Sequence, residues 1–163
     1  MVVIADTSPI NYLILIEADH VLQQLYGRVL VPLAVVRELQ HNGAPGQVLR
    51  WIANPPAWLK IEDTLPTVDP ALDELGAGER AAIILAQAQS EDILLLMDEL
   101  AGRAAATSRS LLSTGTLGVL DAAAEAGLLD LPSAIARLRD TSFHVTPALL
   151  KRLLDRDSAR RRS

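Results

Sequence analysis

Two short apolar runs are each followed closely by a carboxylate. Residues 2–4 are Val, Val and Ile, with Asp6 two positions later, and residues 93–97 are aliphatic and lead directly into Asp98. An uninterrupted aliphatic run is typical of a strand buried on both faces of a parallel sheet. Both acids are therefore predicted at the carboxyl ends of buried strands, where open α/β sheets bind ligands.

The same pattern along the chain predicts strands that alternate with helices. Further strands are expected at residues 29–31, 58–62 and 111–114, the second of them at a sheet edge. Thr7 or Ser8 is expected to cap the first helix, with Pro9 at its first position, and Thr116 to cap the helix after the last strand. The other helices are predicted at residues 18–26, 32–42, 45–53, 79–86, 98–108, 117–126, 131–138 and 146–154.

This alternation indicates an α/β fold with a parallel sheet of about five strands flanked by helices. We expect one domain over residues 1–163, because the chain has no internal repeat or low-complexity segment and the connector at residues 65–70 is too short for an interdomain linker. The absence of cysteine excludes disulfides and thiolate chemistry. With neither a signal peptide nor a membrane-length apolar run in this sequence, we expect a cytoplasmic protein without membrane contact.

The charge is distributed unevenly. The net charge is −5, but residues 151–163 carry six basic and two acidic side chains, so residues 1–150 carry nine basic and eighteen acidic ones. An acidic body does not attract phosphate backbones by itself, although acids that hold a divalent metal are compatible with nucleic acid. The basic C-terminal tail, residues 151–163, is interpreted as a solvated terminus in preference to a nucleic-acid or partner contact.

Four acids are candidates for chemistry, and each also has a structural explanation. Asp6 and Asp98 each precede a helix and could be ordinary N-caps. Glu38 borders the apolar stripe of its helix and could be a solvated side chain. Glu79 opens a helix after Gly76-Ala77-Gly78 and could simply interact with the helix dipole.

If these four carboxylates meet at one sheet edge, they repel one another unless a cation is bound. Oxygen ligands favour Mg²⁺ or Mn²⁺ over Zn²⁺, and such sites serve phosphoryl chemistry. The three histidines show no ligand spacing and are interpreted as surface or packing residues. The sequence has no P-loop motif, no complete dinucleotide-binding motif and no G-x-S-x-G elbow, which disfavours those classes of protein.

Four motifs occur in order along the chain: Ile4-Ala5-Asp6-Thr7-Ser8-Pro9-Ile10, Val31-Pro32-x-x-Val35-x-x-Glu38-Leu39, Leu75-Gly76-x-Gly78-Glu79-x-x-Ala82-Ile83 and Leu95-Leu96-Met97-Asp98-Glu99-x-x-Gly102-Arg103. Together they resemble a PIN domain, most closely the prokaryotic branch related to VapC-type toxins. The paired acid and Gly-Arg of the fourth motif carry that closer likeness, as does Thr114-Gly115-Thr116-Leu117-Gly118-Val119-Leu120.

The resemblance implies a sheet ordered 3-2-1-4-5 and a metal-dependent endoribonuclease that leaves 5′-phosphate and 3′-hydroxyl ends. It assigns the binding of Mg²⁺ or Mn²⁺ and the catalytic role to four acids. At one of these positions the residue type differs from the family pattern, because many PIN domains have Asp where this chain has Glu79. It leaves supporting roles in ligand or substrate positioning for four further residues. The four acids are Asp6, Glu38, Glu79 and Asp98, and the supporting residues are Thr7, Ser8, Glu99 and Arg103.

The resemblance also implies partners. These are an RNA substrate, a cognate antitoxin if the chain is a toxin, and a second copy of the chain, with the apolar helices at residues 131–138 and 146–154 as interface candidates. For Arg103, a structural salt bridge is an equally good explanation. Two alternative functions stay open: a catalytically inactive PIN-like module that binds RNA or protein, and another metal-dependent phosphoester hydrolase.

Overall fold

A five-stranded parallel sheet forms the centre of the molecule. The computed structural model describes residues 1–63 and 67–163, so Leu65 and Pro66 of the expected connector lie outside the described residues. The sheet order is β3-β2-β1-β4-β5, and every pairing is parallel, which confirms the predicted fold class and order. The strands are β1 (Val2–Ala5), β2 (Val29–Pro32), β3 (Leu59–Glu62), β4 (Ile93–Leu96) and β5 (Leu112–Thr114).

The central strand β1 is buried on both faces, as its aliphatic sequence predicts. Val3 and Ala5 belong to one hydrophobic cluster, whereas Val2 and Ile4 belong to another on the opposite face of the sheet. Successive side chains of a strand point to opposite faces, so a strand covered on both sides must be apolar at every position. Asp6 is the first polar residue after this run.

Helices cover both faces of the sheet. One face carries α1 (Thr7–Leu15), α2 (His20–Tyr26), α3 (Leu33–Leu39), α4 (Gly46–Ala53), α7 (Thr116–Glu125), α8 (Leu131–Arg139) and α9 (Pro147–Arg161). The other face carries α5 (Ala77–Gln87) and α6 (Leu100–Ser108), together with a 3-10 turn at Pro70–Leu72. Within the described ranges, no helix combines the length and the apolar character needed to cross a bilayer.

The predicted starts of α1, α6 and α7 are each wrong by one or two residues. Asp6, not Thr7 or Ser8, is the N-cap of α1, so Pro9 is the third helical residue. Helix α6 begins at Leu100 with Glu99 as its N-cap, which leaves Asp98 outside the helix. Gly115 is the N-cap of α7, so Thr116 is its first residue. In each case a residue expected to cap or begin the helix instead contacts a distant part of the chain, which capping propensity does not predict.

The basic C-terminal segment is mostly exposed, as expected of a solvated terminus, but it is helical and ion-paired to its own chain. It continues the predicted helix at residues 146–154, so that α9 reaches Arg161 and buries Leu153 and Asp157. Arg160 pairs with Asp121 of α7 at 2.9 Å. The same segment is further tied down by Arg156 to Asp121, Arg160 to Asp157, Arg161 to Asp157 and Arg161 to Asp130. Ion pairing to acids of the same chain therefore uses much of the positive charge.

Candidate active site

Asp6 lies at the carboxyl end of the central strand and is 4% exposed. Its backbone N–H donates to Leu96 O at 2.9 Å, which continues the β1–β4 ladder to the acid itself. Although Asp6 occupies the N-cap position of α1, its side chain makes no capping hydrogen bond, and its Oδ1 is buried without a partner in the described part of the chain. Capping therefore does not explain this carboxylate.

Glycine at position 78 allows two carboxylates to converge. A Cβ at Gly78 would stand 2.8 Å from Asp6 Oδ1 and 2.9 Å from Glu38 Oε2, so these oxygens are separated by less than the sum of the two distances. The Gly78 N–H donates to Glu38 Oε1 at 2.9 Å, and the Thr7 hydroxyl donates to Glu38 Oε2. Glu38 is thus held beside Asp6 by an amide of α5 and a hydroxyl of α1.

Glu79 is the third residue of α5. Its Oε1 accepts a hydrogen bond from the Gly76 N–H at 3.3 Å, which accounts for one oxygen as a helix N-terminal contact. Its Oε2 is buried without a hydrogen bond among the described residues. The space for this oxygen exists because Gly102 of α6 has no side chain; a Cβ there would collide with Glu79 Oε2 and with Met97 Sδ.

Asp98 is clamped by a residue that the sequence identifies only as a helix cap. The Thr116 N–H donates to Asp98 Oδ1 at 2.6 Å, and the Thr116 hydroxyl donates to Asp98 Oδ2 at 2.7 Å. Gly115 lets the carboxylate approach, since a Cβ there would lie 2.7 Å from Asp98 Oδ1. The Thr114-Gly115-Thr116 sequence was the available signal, because a glycine before a hydroxyl residue at a helix start is suited to binding an anionic side chain.

The pKa of Asp6 is affected by the charges of the other three acids. Burial raises the pKa of Asp6 to about 7, the Thr7 backbone N–H opposes this rise, and the charges of Glu79, Glu38 and Asp98 add to it. Burial is also the main cause of the raised pKa of Glu79 and of Asp98. The sheet edge therefore brings the four predicted acids together, at a cost in ionisation that nearby positive charge would relieve.

The donor set fits a hard divalent cation. Asp6 Oδ1 and Glu79 Oε2 are carboxylate oxygens without partners, and the neighbouring acids offer only oxygen. Among the residues that the structure describes, no group of three or more acids or histidines is arranged so that it could hold a metal ion. Mg²⁺ does not require one, because it keeps several waters and is usually held by one or two carboxylates plus substrate phosphate.

The four supporting candidates have different positions. The Thr7 hydroxyl contacts Glu38, whereas Ser8 faces a neighbouring groove. Glu99 is exposed, and its charge raises the pKa values of Glu79 and Asp98. Arg103 lies close enough for its charge to lower the pKa of Asp98, although its guanidinium makes no ion pair with any described residue.

One family of known proteins matches the chain over most of its length. A family model for a PIN domain matches residues 2–159. The chain belongs to the PIN-domain family. Comparison with curated proteins and with solved structures gave no significant match. PIN domains are generally nucleases, and PIN nucleases usually use divalent metal ions.

Proposed function

We propose that this PIN domain is a Mg²⁺- or Mn²⁺-dependent endoribonuclease. The observation that carries the proposal is the pair of buried carboxylate oxygens without partners, Asp6 Oδ1 and Glu79 Oε2, at the edge where Glu38 and Asp98 also lie. Buried unpaired carboxylate is costly, and a bound dication would compensate it. A cluster kept only for stability would be expected to pair these oxygens with donors from the protein.

Asp6 would be the principal metal ligand, because it is central in the sheet and adjoins Glu38. Glu38, Glu79 and Asp98 would complete the site, directly or through water. The ion would supply Lewis-acid chemistry, which makes water a better nucleophile and stabilises charge on the phosphoryl group. Thr7 orients Glu38, and Thr116 orients Asp98, through their hydrogen bonds to these carboxylates. Arg103, without an ion pair in the described residues, is free to bind a substrate phosphate.

We further propose RNA as the substrate and a toxin role in a toxin–antitoxin pair in the cytoplasm. The support is the resemblance to the VapC-type branch. An antitoxin would block the acids, and a homodimer is expected. The apolar residues that made α8 and α9 interface candidates pack mainly against the core of the same chain.

The test is cleavage of end-labelled single-stranded RNA by the wild type and by Asp6→Asn, each with Mn²⁺, Mg²⁺ or EDTA. We expect cleavage only by the wild type with metal, and 5′-phosphate ends. Asp92→Asn is a matched control because Asp92 is exposed and precedes β4 at the opposite edge of the sheet. Equal cleavage by the wild type and Asp6→Asn would refute the assignment, since a contaminating nuclease would then explain the activity.

Two alternatives make different predictions. A catalytically inactive PIN-like module that binds RNA or protein would show no Mn²⁺ binding in calorimetry at millimolar metal. Another phosphoester hydrolase would prefer DNA or a small phosphate ester to RNA at fixed Mn²⁺. The free carboxylate oxygens favour the metal-binding functions over the inactive module. Burying unpaired carboxylate oxygens costs free energy, and a protein that binds no metal would have nothing to offset that cost.

A further inference from the structure

A groove of about 670 Å³ leads away from the acid cluster. It begins at Asp98 and Glu99 and continues between α1, α6 and α7 on one side and the α8–α9 connection and α9 on the other. We call this feature the C-terminal groove. Its volume lies in the range of sites that hold a small organic ligand or a short segment of a polymer. Its defining side chains are Ser8, Tyr12, Arg103, Phe143, His144 and Leu149.

Most negative charge in the C-terminal groove is already neutralised or hydrogen-bonded. Both oxygens of Asp98 accept hydrogen bonds from Thr116. Asp121, farther along, accepts from Arg156 at 3.2 Å and from Arg160 at 2.9 Å. Glu99 alone among these acids lacks a partner in the described residues, and it lies at the end that adjoins the acid cluster.

Three polar side chains of the groove have no such partner, whereas the groove residue Arg156 is paired with Asp121. The side chains of Ser8, Arg103 and His144 make no hydrogen bond or ion pair with any described residue. They supply a hydroxyl, a guanidinium and an imidazole along one groove. Paired acids beside unpaired donors suit a ligand rich in acceptor oxygens, such as a phosphodiester chain.

Two aromatic side chains, Tyr12 from α1 and Phe143 from the α8–α9 connection, meet across the groove and are fixed in position. The rings of Tyr12 and Phe143 pack edge to face with centroids 5.0 Å apart. The Tyr12 hydroxyl and Ser142 Oγ are hydrogen-bonded at 3.0 Å, which ties the α8–α9 connection to α1. His144 is exposed next to this pair. These aromatic rings and the imidazole offer flat surfaces on which an unstacked base can lie.

We infer that the C-terminal groove binds a single-stranded stretch of RNA that continues from the cleavage site. Arg103 contacts backbone phosphate near Asp98, and bases pack against Phe143 and His144. The strand must be single because bases in a duplex are stacked and paired, so their faces cannot reach a protein wall. The identity of the strand as RNA rests on the proposed function, whereas the position of the site rests on the groove itself.

The test is fluorescence anisotropy of a labelled single-stranded RNA in EDTA, where cleavage is not expected. Arg103→Ala should weaken binding roughly tenfold, since a charged hydrogen-bond donor is lost. His144→Ala should weaken it roughly fivefold through lost stacking. Both side chains lack partners among the described residues, so thermal unfolding should be nearly unchanged. The matched controls Arg28→Ala and His20→Ala remove exposed residues outside the groove and should change binding less than about twofold.

The outcomes separate this inference from the proposed function. Binding that the groove variants weaken, together with no cleavage by the wild type, would support the groove and refute the nuclease. Cleavage by the wild type, together with RNA binding that is equal in all variants, would refute RNA binding in the C-terminal groove and support the proposed nuclease function. No RNA binding by the wild type, or equal affinity for a hairpin duplex of the same sequence, would overturn the inference.

Discussion

Replacing Asp6 with Asn should stabilise the metal-free protein at alkaline pH while removing its proposed function. Asp6 is buried beside three other acids, and its pKa is raised from 3.8 to about 7. The folded state therefore holds this proton more tightly than the unfolded state does. The contribution of Asp6 to stability is then most favourable below pH 3.8, falls as the pH rises towards about 7, and is constant above that.

The size of the effect follows from the shift. Each unit of pKa corresponds to about 1.4 kcal/mol, so ionising Asp6 lowers the free energy of unfolding by up to about 4 kcal/mol in the absence of metal. Asparagine has nearly the same shape and no charge to desolvate. Asp6→Asn should consequently match the wild type near pH 4 and exceed it by up to about 4 kcal/mol near pH 8.

The assay is urea-induced unfolding of both proteins in EDTA at several pH values. The control is Asp92→Asn, an exposed substitution expected to change stability by less than about 0.5 kcal/mol. Saturating Mn²⁺ should stabilise the wild type and leave Asp6→Asn unaffected, because ligand binding to the folded state alone adds to stability. A stability difference between Asp6→Asn and the wild type that is independent of pH would refute the raised pKa of Asp6 as its cause.

Three further substitutions test other parts of the molecule. Gly78→Ala should weaken Mn²⁺ affinity about tenfold or more in calorimetry, because the new Cβ displaces the carboxylates of Asp6 and Glu38. The control Gly46→Ala should leave Mn²⁺ affinity unchanged, because its new Cβ meets only the flexible end of a side chain. Thr116→Val should lower the rate of RNA cleavage roughly tenfold by freeing one oxygen of Asp98, with Thr116→Ser restoring it; unchanged activity in the valine variant would contradict the clamp. Arg160→Ala should cost roughly 2 kcal/mol in urea unfolding, because Asp121 and Asp157 lose a partner, against about 0.5 kcal/mol or less for the exposed Lys151→Ala; equal losses would contradict the anchoring of α9.

The described helices and strands are mostly predictable from local pattern. The run at residues 2–5 had to be a strand covered on both faces, because every position in it is apolar. The acids after β1 and β4 follow from the same pattern. Helix starts were less predictable, since Thr7, Asp98 and Thr116 all have capping propensity but none of them is an N-cap. The N-caps of the three helices are Asp6, Glu99 and Gly115. The hydroxyls of Thr7 and Thr116 instead donate to carboxylates more than fifteen residues away.

The sequence by itself determined that two acids end buried strands of one parallel sheet, because hydrophobic periodicity encodes burial residue by residue. Only the tertiary structure decided how the acids are held. Gly78 brings Glu38 against Asp6, Gly102 leaves room for Glu79, and Thr116 clamps Asp98. These contacts depend on how helices from distant parts of the chain are placed on the sheet, and that placement is set by packing of the whole core. The same reason explains α9, whose arginines look free in sequence and are paired in space.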